Sequence, residues 1–376
     1  MTSNPWKKVG IFAVVAIASV ALLGGSIVVV NSPGGFNAGL TRTVGSGDTP
    51  GGLLRLGSSA PCDSLDPAQT FDPWCAVVHR TFSRNLMSFA GKPGEQGLVV
   101  VPDLAADLPV SNEDKTSWTF KLRPDVFWSD GSPVTATDVK YSIQRLFDDS
   151  LQSPIALDNL CLLSTCTAGK PDYQGPYVSP TEDLPSIVTP DESTIVFNLN
   201  RSFYEFPRLL ATPQFAPIQM SKDITLRASG ATYASSPSSN GPFVLTIDQA
   251  DLQYSFTKNE LWSQASDGIR IPKVDAMSWK IFPDADSTDQ ALLNGEIDVK
   301  LNYGLAPIAR DATLAQESQR SLIDNPEMSF VNFLVVNPNL PPLDRVPCRD
   351  AIFYALDKVD LQNVRGGSAT AAIAHS

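Results

Sequence analysis

The sequence predicts α/β or α+β lobes, and three observations carry that reading. Some stretches alternate apolar and polar residues, as half-buried strands do. Others repeat apolar residues every three or four positions, as amphipathic helices do. The two kinds follow one another without strict alternation, which disfavours a TIM barrel. At 376 residues the chain suggests two or three domains. It is 43% hydrophobic and 18% charged, enough apolar residue for a large core and against overall disorder. No internal repeat is present.

The elements follow in order. Val9 to Val30 is a run of uncharged residues preceded by Lys7 and Lys8. Such a run spans roughly 33 Å as a helix, enough for a bilayer core of about 30 Å. It is longer than the roughly 7–15 apolar residues of a signal peptide. An uncleaved anchor is favoured and a cleaved signal stays open; in both cases the lysines stay inside and the body outside. No cysteine precedes Cys62, so lipid attachment to a cysteine behind the run is excluded. The Gly-, Ser- and Pro-rich stretch that follows reads as a tether.

Leu53 to Leu56 reads as a short buried strand ended by Gly57. Val77, Val78, Phe82, Leu86 and Met87 have helical spacing. "SWTFKLRPDVFW" alternates, with Trp118, Phe120 and Leu122 on one face, and Asp130-Gly131 turns the chain. The next helix opens on a capping box, Thr135 with Asp138. Its apolar stripe is Val139, Ile143, Leu146 and Phe147. Residues 148–190 read as loop. Ile187–Val188 and Thr194–Leu199 form a hairpin, and Phe243–Ile247 with Leu252–Lys258 a second one. Ala276–Phe282 is a strand, followed by an acidic turn, a helix and a strand over Ile297–Leu301. Phe330–Val336 is strand-like. A helix after Pro347 should turn Ala351, Ile352, Tyr354, Ala355 and Leu356 inward.

Charge and motifs narrow the function. Net charge is −12, and beyond residue 30 there are 40 acids against 26 bases, a net −14. An acidic body argues against a nucleic-acid partner. There are two histidines, His79 and His375. No G-x-S-x-G elbow, H-E-x-x-H, phosphate loop or dinucleotide fingerprint is present, and no cofactor is expected. Asp284 to Asp289 lacks the glycine and closing glutamate of a calcium loop; it reads as a helix start, where acids are favoured. A hydrolase is the least favoured class. Trp74, Tyr173, Tyr177, Phe203, Tyr204, Phe206 and Trp262 are aromatics that could line a cleft, although each alone is more often core. The five cysteines suit an oxidising compartment. Cys161 with Cys166 is the first candidate disulfide and Cys62 with Cys75 the second, which would leave Cys348 over. The alternative is that some are small buried apolar residues.

Five blocks carry a resemblance. They are "LRLGSSAPCDSLDPA", "VPDLAADLPVSNEDKTSWTFKLRPDVFWSDGSPVTATDVKYSIQR", "SNGPFVLTIDQADLQYSFTKNELW", "ALLNGEIDV" and "PPLDRVPCRDAIFYALDK". In that order they resemble the extracellular solute-binding proteins of family 5, the dipeptide- and oligopeptide-binding proteins of ABC importers. The likeness covers roughly residues 50 to 365. "LDPAQTFDPWC" and "PCRDAIFYALDK" resemble the actinobacterial form.

The resemblance implies a periplasmic-binding-protein fold of type II, cluster C: two lobes on a hinge, closing on an extended peptide without altering it. The implied division is a signal or anchor at 1–30, a linker at 31–50, and lobe I at 51–75 and 180–335. An extra subdomain would occupy 76–179, and a second lobe, largely missing, would begin at 336–376. Family members continue well beyond the last helix and supply an acid for the peptide's amino group from there. This chain is therefore expected to be a fragment, a frameshifted product, or a form that cannot clamp a ligand alone. The implied ligand residues are Ala60, Pro61 and Cys62 at a strand end, Asn240 in the Asn-Gly block, and Phe282 and Asp284 near the hinge. The implied partners are a peptide, with nickel chelates or sugars as alternatives, and an ABC permease with its ATPase, at the outer face of the cell membrane. The rival reading is a surface sensor, a structural relative or an inactive fragment.

Overall fold

The structure, a computed structural model, describes residues 27–31, 37–42, 50–92, 94–302, 304–306, 310, 313, 315–317 and 334–364. In chain order the strands are β1 (Ile27–Asn31), β2 (Asn37–Arg42), β3 (Leu53–Ser58), β4 (Met87–Phe89), β5 (Val100–Pro102), β6 (Val110–Ser111), β7 (Ser117–Lys121), β8 (Cys166–Thr167), β9 (Lys170–Pro171), β10 (Ile187–Asp191), β11 (Thr194–Asn198), β12 (Phe243–Gln249), β13 (Gln253–Lys258), β14 (Ala276–Ile281) and β15 (Val299–Lys300). The helices are α1 (Pro73–Phe82), α2 (Ala136–Arg145), α3 (Leu157–Leu160), α4 (Phe206–Leu209), α5 (Met220–Ala228), α6 (Ala285–Leu293), α7 (Val346–Ala355) and α8 (Lys358–Val364).

Two sheets organise the unit that begins at Pro50. The larger has the order β12-β13-β14-β3-β15. β12, β13 and β14 form an antiparallel meander, while β3 runs parallel to both β14 and β15. α1 covers one face. The core there contains Leu56, Val78, Phe82, Phe243, Phe256, Met277 and Trp279. Trp279 stacks on Tyr254 at 4.5 Å and meets Trp74 edge-on at 5.7 Å. The second sheet has the order β10-β11-β7-β6. Trp118, Phe120 and Leu122 are buried in one core with Val139, Ile143, Leu146 and Phe147 of the α2 region. The Thr135 hydroxyl accepts from the Asp138 N–H at 3.2 Å, and the Asp138 carboxylate accepts from the Thr135 N–H at 3.0 Å.

Several expectations need correction. α1 stops at Phe82, and Met87 starts β4, so the helix does not run on to Leu86. The reason is tertiary: Arg84 and Asn85 turn into partners at Asp103, Ser266 and Thr212. β3 does not end at Gly57 but passes through it to Ser58. A Cβ on Gly57 would sit 2.4 Å from Ile297 Cδ1 and 3.0 Å from Phe282, so the glycine permits close packing rather than a stop. The expected boundary at 179/180 crosses one sheet, because β10 and β11 pair with β7 through backbone hydrogen bonds. The boundary at 75/76 cuts through α1.

Residues 1–26 lie outside the described residues. Ile27–Val30, the tail of the apolar run, belong to β1, which pairs antiparallel with β2. The run read as Val9 to Val30 is therefore not one helix to its end, and part of the expected tether is strand. Among the described residues no helix is long and apolar enough to cross a membrane. The strand expected over Phe330–Val336 lies outside the described residues up to Val331–Phe333, and Leu334–Val336 carry no strand. α7 forms where expected, but its apolar residues are not buried: Tyr354 is 85% exposed and Ala351, Ala355 and Leu356 are also exposed. No described segment packs over them.

Candidate functional site

Three parallel strands end on one edge of the larger sheet. Ser58 pairs with Ile281 across β3 and β14, and Gly57 with Lys300 across β3 and β15. The chain leaves β14, passes through α6 and returns as β15 on the other side of β3. A crevice outside the carboxyl ends of parallel strands, where neighbouring connections diverge, is where open α/β sheets hold ligands.

Ser58 is the knot of this edge. Its hydroxyl donates to the Ala60 carbonyl at 2.7 Å and accepts from Trp279 Nε1 at 2.8 Å. Its own carbonyl accepts from the Phe282 N–H at 2.7 Å. The buried Asn302, just beyond β15, accepts from the Ser59 N–H at 3.0 Å and donates to Ser59 Oγ at 3.1 Å. Ala60, Pro61 and Cys62 therefore stand on a loop fastened at three strand ends, and all three are half-buried.

The other expected residues divide. Phe282 is mostly buried, packed with Ala291 and Ile297 beneath α6, so it floors the edge rather than lining it. Asp284 is exposed and caps α6, with its carboxylate accepting from the Ser287 N–H at 2.7 Å. That hydrogen bond holds its carboxyl below the usual range. This is the helix-start reading of the acidic run, not a calcium loop.

Asn240 does not join them. It is 1% exposed and sits beyond the start of β12, whose Phe243 pairs with Lys258, at the far end of the sheet. At about 3.3 Å per residue, the five strand positions from Leu53 to Ser58 separate it from Ala60 by roughly 17 Å or more. Its Oδ1 accepts from the Arg84 N–H at 2.8 Å, and its own N–H donates to the Phe82 carbonyl at 3.0 Å. A Cβ on Gly241 would lie 2.9 Å from Phe82 carbonyl carbon. The Asn-Gly block thus serves a close backbone crossing at the end of α1.

Buried ion pairs support both modules. Arg84 Nε lies 2.8 Å from Asp103, and Arg270 pairs with Asp103 at 2.8 Å and with Asp267 at 3.0 Å. Burial alone would raise the Asp103 carboxyl; the Arg270 and Arg84 guanidiniums more than offset it and hold it low. Arg145, 1% exposed, holds Asp66 of the Leu-Asp-Pro stretch in a two-pronged pair. Only the Arg270–Asp267 pair is local in sequence; Arg84 and Asp103 lie 19 positions apart, Arg145 and Asp66 79, and Arg270 and Asp103 167, so no spacing announces those three.

His79 is a buried structural residue. Its Nε2 lies 2.8 Å from Thr70 Oγ1, and burial pushes its pKa down. Of the aromatics singled out in the sequence, Tyr173 and Phe206 are core, Phe203 and Tyr177 pack against core, and Trp74 meets Trp279. Trp262 donates from Nε1 to Asp267 at 3.1 Å, and Tyr204 is exposed. Cys161 and Cys166 are joined by a disulfide, whereas Cys62 and Cys75 are free thiols, so the second candidate bond is not formed. A separate cavity of about 310 Å³, lined by Arg123, Asp125 and Ser266 among others, includes none of the expected residues.

The geometry has counterparts in known proteins. The profile of the bacterial extracellular solute-binding proteins, family 5 Middle, matches residues 99–375. A probable D,D-dipeptide-binding periplasmic protein of Escherichia coli is 27% identical over 318 residues, 84% of this chain and 55% of that protein. The periplasmic oligopeptide-binding protein of Salmonella typhimurium is 27% identical over 253 residues, 66% of this chain and 43% of that one. Among solved structures, clavulanic acid biosynthesis oligopeptide binding protein 2 is 38% identical with a TM-score of 0.73, over 85% of this chain and 57% of that one. The chain spans about half the length of the curated relatives it matches.

Proposed function

The chain belongs to the bacterial extracellular solute-binding proteins, family 5, and from that premise we propose that it contributes one lobe of a peptide-binding receptor for an ABC importer. It binds without catalysis. The observation that carries the reading is the edge where β3, β14 and β15 end. Two of the implied ligand stretches, Ala60–Cys62 and Phe282–Asp284, come from distant parts of the sequence and meet there through Ser58. An extended peptide presents backbone donors and acceptors to such an edge, and neighbouring loops accommodate its side chains. In this reading residues 336–376 open a second lobe. Asn240 positions α1 instead of touching the ligand.

Delivery to a permease at the outer face of the cell, with Val9–Val30 as anchor or export signal, is part of the same proposal. A second reading, a surface protein that does not deliver solute, is favoured by one observation: α7 leaves Phe353 and Tyr354 uncovered.

A thermal-shift screen of the purified chain against a di- to pentapeptide library tests binding. At a hundredfold excess over Kd a ligand contributes about 2.7 kcal/mol, a rise of roughly 3–4 °C for a chain of this size. Ala60→Trp, which fills the edge, should abolish the shift. Silence across peptides, nickel chelates and sugars overturns the peptide reading and leaves the second.

A further inference from the structure

Beside the proposed ligand edge lies a cluster of which the binding reading uses Cys62 alone. Cys62 and Asp63 close the loop after β3, and Asp72 and Cys75 open α1. The carboxylates of Asp63 and Asp72 and the Cys75 thiol place one ligand atom each within 4.8 Å of one another. The Cys62 thiol is in hydrogen-bond contact with that of Cys75. Two carboxylates and one thiol thus converge, and the second thiol, of Cys62, adjoins the Cys75 side of the group.

Three features set the cluster apart from an ordinary acidic turn. First, Asp72 occupies the N-cap position of α1, yet its side chain caps nothing. An N-cap aspartate normally accepts from the second or third N–H of its helix; here the carboxylate stays with Asp63 and Cys75. Second, Asp63 is held rigidly, since it accepts from the N–H groups of Ser64, Phe71 and Asp72. Ligands fixed in advance by backbone donors are what a metal centre needs. Third, the Asp63 and Asp72 carboxylates lie beside each other and beside the Cys75 thiol, each with one oxygen in the same small space. Cys75 is a fully buried free thiol.

We propose that Cys62, Asp63, Asp72 and Cys75 form a binding site for a thiophilic divalent cation, with Zn²⁺ as the first choice. Four ligands of the S₂O₂ kind suit a closed tetrahedral zinc site, and the thiolates disfavour Mg²⁺ and Ca²⁺. Binding replaces the two thiol protons, which leave to solvent, with two Zn–S bonds and no change in oxidation state. The two protons lost match the charge gained, so the net charge of the cluster is unchanged, but the cation stands between the facing carboxylates, a position that a disulfide between Cys62 and Cys75 would leave empty. It would also tie the Ala60–Cys62 loop to α1. The proposal does not rest on the peptide reading, because metal retention is measured with no peptide present.

The full chain, reduced and dialysed against Zn²⁺, should retain one zinc per molecule by elemental analysis beyond that kept by a Cys62→Ser/Cys75→Ser variant. Co²⁺ in its place should give a thiolate-to-cobalt charge-transfer band. Asp72→Asn is the gentle variant, because the carboxylate makes no helix cap. It should weaken Zn²⁺ binding at least as much as the roughly 10–100-fold of an outer-shell loss, with an unchanged circular dichroism spectrum. Cys348→Ser should bind as the unaltered chain does. No zinc retained by the reduced chain overturns the site. So does retention that ignores both Asp72→Asn and the double cysteine change, or a Cys62–Cys75 disulfide recovered by non-reducing peptide mapping of the exported protein.

Discussion

Arg145 and Asp66 show how much of this fold hangs on single buried groups. The guanidinium meets the carboxylate through both nitrogens, and it also neighbours Asp223 at 3.5 Å and the ring of Tyr177. Burial works to lower the Arg145 pKa; the Asp66 charge and hydrogen bonds outweigh it, so the net shift is upward. Asp66→Asn removes the closer countercharge and leaves the buried guanidinium with Asp223 alone, at 3.5 Å. The expected loss is about 3–5 kcal/mol in urea unfolding. Changing the exposed partner Asp158 of Arg201 should alter the midpoint little. His79 gives a pH signature. Its folded pKa is depressed by burial below the ordinary 6.5, so in acid the unfolded chain takes up a proton that the folded chain refuses. Stability should therefore fall as pH drops below about 6.5, with a limiting slope of about 1.4 kcal/mol per pH unit. The fall should level off beneath the folded pKa. His79→Gln should flatten the Tm-against-pH curve in that window; an unchanged slope would reject the assignment.

At the scale of elements, α2 is the best-specified piece. The box at Thr135 and Asp138 satisfies its start, and Val139 and Ile143 fasten its inner face to β7 and β11. Asp138 does more than close the box, since its carboxylate also accepts from Trp128 Nε1 at 3.3 Å and from the Met220 N–H at 2.9 Å. Thr135→Ala therefore removes one cap, for about 1 kcal/mol by thermal unfolding, while Asp138→Ala should cost clearly more. Equal losses would show that the links to Trp128 and Met220 contribute nothing. The larger sheet is arranged on the same logic. Glycine at 57 lets α6 and β15 close on β3, and only that approach brings Asn302 to Ser59.

At the scale of the molecule, the α7–α8 segment stands out. Phe353, Tyr354, Leu356 and Leu361 are all exposed, an apolar face of the kind that binds partners or aggregates. The isolated chain should bind a hydrophobic dye and self-associate with rising concentration. Phe353→Ser with Leu361→Ser should reduce both without shifting the main unfolding transition, because neither residue joins a core cluster.

Elements were legible where one short stretch carried its own instructions. The Thr135 cap, the alternation around Trp118, the hairpin about Asp191 and the meander from Phe243 depend on neighbours a few positions apart. They lie within three residues of where spacing placed them. The edge proposed to hold the ligand was reached only through the family likeness, which named Ala60 and Asp284 but not Ser58 or Asn302. What required the fold was every relation across long separations. Asn240 reads as a loop residue facing a ligand, yet the crossing of Phe82 buries it at the opposite end of the sheet. Phe82 ends α1 because Arg84 finds Asp103 and Ser266 nineteen and 182 positions away. Periodicity records which face of a segment is apolar. It holds no record of what that face meets, so packing and charge pairing were settled only when the chain closed on itself.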